Sequence, residues 1–153
     1  MGKKYQRILV ADRHQNMLEG IRGLLETLFQ SVVMVADAGS LFDAVTKLNP
    51  DLVVVDLSLS VAGGVHIVSD LKGRFPNLKV VAMSVHDEKV AVTDVMETGA
   101  EGFVLKRSVA TDLIPAVRAV VSGRTYVSPA IRRLYLKDRW GRDNGFVGTV
   151  KKV

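Results

Sequence analysis

The sequence contains no cysteine, which excludes a disulfide framework and a thiolate metal site together. It opens without a long hydrophobic run: in "MGKKYQRILVAD" the apolar stretch is Ile8 to Ala11. That is too short for a signal peptide or a membrane span, so a cytoplasmic protein without membrane contact is expected. Internal repeats and low-complexity segments are also lacking. Nor has the body of the chain any surplus of one charge. Residues 1–130 hold 14 Lys+Arg and 14 Asp+Glu, so the net charge of +5 lies entirely in residues 131–153. No helix-turn-helix pattern follows there, and the basic tail is expected to be a solvated face rather than a nucleic-acid reader.

What is present suits one globular domain. A chain of 153 residues, 48% hydrophobic and 24% charged, can bury a real core but is short for two domains. Val- and Ile-rich runs at 8–11, 32–36, 52–55, 79–83 and 102–105 read as buried parallel strands. Helical spacing fills the intervals, beginning with Met17, Ile21, Leu24, Leu25 and Leu28. Ser40 is expected to cap a second helix over 41–48. Further helices are expected over 64–74, 87–98 and 109–122. The last carries Pro115, so it either starts near Thr111 or is kinked. Five βα units with short crossovers predict an α/β sandwich of three layers, a five-stranded parallel sheet between helices. Ser128-Pro129 is a good helix start. It divides a body, 1–128, from a basic helix, tail or truncated linker, 129–153.

Functional groups in an open parallel sheet gather beyond the carboxyl ends of the strands. Asp12 with Arg13 and His14 follows the first strand, Asp56 ends the third, Ser84 follows the fourth and Lys106 the fifth. If those strands are neighbours, the four groups converge on one rim. A carboxylate there can attack phosphorus to form an aspartyl-phosphate. Positive charge and hydroxyl donors would then be needed around the transferring oxygens.

The segments "ILVADRHQ", "DLVVVDLSLSVAGG", "VVAMSVHDE" and "GAEGFVLKRS" resemble, in order and spacing, the receiver domain of two-component response regulators. The closing "SGRTYVSP" is similar to the LuxR-like, nitrate-response subfamily. The resemblance implies a flavodoxin-like fold and phosphorelay signalling in transcriptional control. It implies Asp56 as phosphoacceptor, Asp12 as a metal carboxylate, and a Mg²⁺ ion held by Asp12, Asp56 and the Ser58 backbone carbonyl. Ser84, Phe103 and Lys106 match the switch residues. The implied partners are a sensor histidine kinase, a second copy of the chain, and a downstream protein or DNA-binding output domain. No enzymatic role beyond phosphotransfer and dephosphorylation is implied.

Two positions depart from the family pattern. Ser60 stands where proline is usual, a loop change of little chemical weight. Arg13 stands where a second acid is usual, so Asp12, Arg13 and Asp56 sum to −1 instead of −3. Two unit charges 4 Å apart interact by about 4 kcal/mol at an effective dielectric near 20, enough for Arg13 to oppose a divalent ion strongly. Three outcomes stay open. Arg13 swings into solvent and leaves a weakened site, or pairs with Asp56 as a built-in cation. Alternatively the domain is a phosphorylation-independent pseudo-receiver that works by protein contact. The histidines 14, 66 and 86 are not expected to form a metal set, with His14 a capping or surface residue. The Asp-x-His start of cobalamin-binding domains is matched only until Met17, where that motif needs glycine.

Overall fold

A computed structural model describes residues 5–59, 65–134 and 149–150. The expectation for Ser60 and most of those for the basic tail lie outside them. Seven strands form one sheet in the order β2-β1-β3-β4-β5-β6-β7. They are β1 (Tyr5–Ala11), β2 (Phe29–Val35), β3 (Leu52–Asp56), β4 (Lys79–Ser84), β5 (Gly102–Leu105), β6 (Thr125–Val127) and β7 (Thr149–Val150). The first six run parallel, and β7 pairs antiparallel with β6. The fold class is the flavodoxin-like α/β sandwich, with its 2-1-3-4-5 order. The strand count is corrected from five: Thr125–Val127 adds a sixth parallel strand, Tyr126 opposite Gly102 and Val127 opposite Phe103. Three residues are too few to show a periodicity in sequence.

The helices are α1 (Gln15–Leu25), α2 (Ala38–Leu48), α3 (Val65–Arg74), α4 (Lys89–Glu97), α5 (Val109–Val121) and α6 (Pro129–Leu134). Two apolar cores lie on the two faces of the sheet. One contains Ile8, Val10, Leu52, Val54, Val81, Val104 and the α5 residues Leu113, Val117 and Val120. The other joins Leu9, Val53, Val55, Val80, Phe103 and Ile131 with Val92 and Val95 of α4. Alternate strand residues thus enter opposite cores, and each fully buried aliphatic side chain contributes roughly 1.5–3 kcal/mol.

Two local expectations change. The cap of α2 is Asp37, whose Oδ1 accepts from the Ser40 backbone N–H at 2.8 Å, so Ser40 lies inside the helix. Helix α5 starts at Val109 and continues through Pro115. Pro115 and Thr111 are both exposed. The Thr111 carbonyl, which loses its donor to proline, is therefore on the side where water can replace it. Gly102 is closely packed: a Cβ there would lie 3.1 Å from Val81 Cγ2, which would have to give by a few tenths of an ångström.

Candidate functional site

Register places the site. Ala11 lies opposite Val55, so the next residues, Asp12 and Asp56, leave neighbouring strands at one level. Asp56 pairs with Met83 and Ser84 with Leu105, so Ser84 follows one step further along and Lys106 two. Asp12 is 0% exposed, Asp56 1%, Ser84 5% and Lys106 9%. Four polar residues this buried must find polar partners.

While Ser84 bonds the loop after β4, Asp12 and Asp56 are satisfied around Lys106. Its Nζ donates to Asp56 Oδ2 at 3.1 Å and lies 3.0 Å from Asp12 Oδ2. The second contact is an ion pair off the hydrogen-bond line, since Asp12 Oδ2 accepts no directed hydrogen bond. Ser58 completes the hold on the acceptor: its hydroxyl donates to Asp56 Oδ2 at 2.7 Å and its N–H to Asp56 Oδ1 at 3.1 Å. Burial pushes the Asp56 carboxyl up, but the two Ser58 hydrogen bonds and the Lys106 ammonium outweigh it. The net shift is below the usual aspartate value, and Asp56 is ionised at neutral pH.

Ser84 lines the same cleft, of about 660 Å³, as Asp56 and Lys106. Its Oγ accepts from the His86 N–H at 2.9 Å, which holds the start of the loop after β4. Exposed Val85 and Val90 form part of the cleft wall. Phe103 is wholly buried, in the core that α4 covers. It sits behind the site rather than in it.

The rim holds what sequence reasoning missed. Arg13 does not pair with Asp56: its Nη2 donates to the Ser58 carbonyl at 2.8 Å. His14 is at the N-cap position of α1 but makes no side-chain cap; of the expected capping or surface role it keeps the second, its side chain 58% exposed. Asp12 Oδ1 accepts the His14 N–H at 2.8 Å, closing a tight turn that brings the ring inward. His14 Nδ1 then lies 2.9 Å from Asp12 Oδ1, 3.2 Å from Lys106 Nζ and 3.6 Å from Asp56 Oδ2. One nitrogen cannot both accept from Lys106 and donate to Asp12, so the ring's proton decides which neighbour it bonds. The Asp-x-His spacing, suited to an Asx turn, was the available signal.

Metal fit can be judged from these contacts. Atoms of Asp12, His14 and Asp56 lie within 4.8 Å of one another, but an imidazole is not a donor that Mg²⁺ favours. The Ser58 carbonyl is taken by Arg13 and the facing carboxylate oxygens by Lys106. Two carboxylates against two cations also leave no net negative charge for a divalent ion. The residues present do not fit Mg²⁺ in this arrangement.

A family model described as the response regulator receiver domain matches residues 8–118. The chain belongs to the response regulator receiver domain family. Receiver domains generally bind Mg²⁺ at an acidic site, so the rim just described is a departure within the family. The chain is 35% identical over 134 residues to the transcriptional regulatory protein DegU of Brevibacillus brevis, covering 86% of this chain and 57% of that protein. A LuxR-family two-component response regulator from Aurantimonas sp. SI85-9A1 superposes with a TM-score of 0.77 at 30% identity. That match covers 83% of this chain and 92% of the other. RcsB from Salmonella enterica serovar Typhimurium, solved on promoter P1flhDC with the phosphomimetic BeF₃⁻, gives 0.75 at 27% identity over 84% and 65% of the two chains. The LuxR-like likeness of the sequence is thus shown. This receiver spans about three-fifths of the length of the curated relatives it matches. Nothing in these likenesses favours the phosphorylation-independent alternative. Among the described residues, no helix is long and apolar enough to cross a membrane.

Proposed function

We propose that Asp56 accepts, in the cytoplasm, a phosphoryl group from the phosphohistidine of a sensor histidine kinase. The observation that carries this is the buried, ionised Asp56 carboxylate, fixed by Ser58 and held 3.1 Å from Lys106 Nζ at a strand end. In the transfer the donor's P–N bond breaks and a P–O bond forms to an Asp56 oxygen. The donor imidazole, protonated on its other nitrogen, leaves neutral. Lys106 stays with the transferred oxygens and neutralises part of their charge.

Ser84 supplies the switch in this proposal. Its hydroxyl turns from the His86 N–H towards a phosphoryl oxygen, and the loop carrying His86 and exposed Val85 is released. Phe103, packed in the same core as Val92 and Val95, lets α4 adjust to that release. The β4/β5 surface then favours a second copy or an output partner, a two-state element biased by local charge. DNA binding, as in promoter-bound RcsB, belongs in this proposal to an output segment outside the matched receiver, with 129–134 leading towards it. The family's Mg²⁺ site is lost here, because Arg13 holds the Ser58 carbonyl.

The test is intact mass after incubation with acetyl phosphate, in Mg²⁺ and separately in EDTA. Wild type is expected to gain one phosphoryl group in at least one condition, and Asp56→Ala to gain none. Equal gain by both proteins, or none by wild type in either condition, would overturn the proposal.

A further inference from the structure

The geometry points to Arg13 as the resident cation of the acceptor site: its guanidinium replaces the divalent ion, and phosphoryl acceptance on Asp56 proceeds without Mg²⁺. This rests on Asp56 being the acceptor. Ser58 is the link. Its hydroxyl and N–H hold the two Asp56 oxygens at 2.7 and 3.1 Å, and its carbonyl accepts from Arg13 Nη2 at 2.8 Å. One residue thus seats both the acceptor carboxylate and the cation. Arg13 is exposed, and its guanidinium meets this carbonyl at the rim of the site.

Charge agrees with the substitution. An acid at position 13 together with a divalent ion would bring a net +1 to the pocket, and a single arginine brings the same +1. With a dianionic phosphoryl on Asp56, the pocket of Asp12, Lys106 and position 13 reaches the same total either way. A guanidinium also offers five donors in a planar fork suited to phosphate oxygens. Released from the Ser58 carbonyl, or sharing it, Arg13 can meet an equatorial oxygen opposite the one Lys106 holds. The bond changes are those of the transfer already described, and no further reactant is required.

The experiment follows Mg²⁺ binding and phosphorylation separately, on wild type, Arg13→Asp and Arg13→Ala. Amide NMR shifts at Asp12, Asp56 and Ser58 report binding during a Mg²⁺ titration, and intact mass with acetyl phosphate reports transfer. For wild type we expect no saturable shifts at millimolar Mg²⁺ and transfer rates within about twofold in Mg²⁺ and EDTA. Arg13→Asp should acquire saturable shifts and slow at least tenfold in EDTA, and Arg13→Ala should fall well below wild type in EDTA. Wild type that binds Mg²⁺ at these residues and is modified only in its presence would overturn the resident cation while leaving Asp56 as acceptor. Absence of modification in both conditions would overturn the acceptor proposal and this inference with it.

Discussion

Lys106 and Arg13 carry the same charge into one pocket, but the chain supports them very differently. Lys106 is 9% exposed and sits between two buried carboxylates at the end of β5. Arg13 is exposed and reaches a backbone carbonyl in a neighbouring loop. Strand register and burial leave Lys106 little alternative, because Asp12 and Asp56 would otherwise be uncompensated charges out of water. Nothing comparable compels Arg13. The buried side of the pocket thus holds the features that define the family, while the exposed rim is free to depart from them.

Removing each cation should expose this contrast most strongly. Lys106→Met should destabilise the fold by about 3 kcal/mol in urea unfolding, because two buried carboxylates lose their counter-charge. A cost below about 1 kcal/mol would mean that solvent or His14 already compensates them. Ser128→Ala tests the support of the strand that carries Lys106. Ser128 is fully buried and its hydroxyl accepts from the Leu105 N–H at 3.1 Å, so its loss should cost about 2 kcal/mol. Arg13→Ala, by contrast, should change stability by less than about 1 kcal/mol; a larger loss would place Arg13 among the structural charges.

Acid titration gives a finer comparison. The folded pKa of Asp56 lies below its usual 3.8, so its contribution to stability is present above that value and is lost as pH falls through the lower folded one. Between about pH 5 and pH 2, wild type should therefore lose more stability than Asp56→Asn. Parallel curves would show that Ser58 and Lys106 do not favour the ionised carboxylate.

The buried half of the site was legible in the sequence because it depends on patterns the sequence displays. Short apolar runs, Val-rich in β3 and β4, gave β3, β4 and β5, and the polar residues ending them fell where a parallel sheet gathers them. Positions decided by one long-range contact were not legible. No local signal shows that Arg13 reaches Ser58, 45 residues away. The local Asp-x-His turn was legible, but not that it sets the half-exposed ring's Nδ1 3.2 Å from Lys106 Nζ, 92 residues away. Thr125–Val127 was hidden by its length, and the α2 cap went to Asp37 because Asp37 and Ser40 are both good caps.

The central claim is that Asp56, on the buried side of the pocket, is the group that receives phosphate. Borohydride trapping after phosphodonor treatment, followed by peptide mapping, tests it most directly, because reduction converts an acyl phosphate into an alcohol at the residue that carried it. The expected result is homoserine at position 56 alone in the wild type and none in Asp56→Ala. Reduction at Asp12, or a phosphoryl group on His14, would contradict the account.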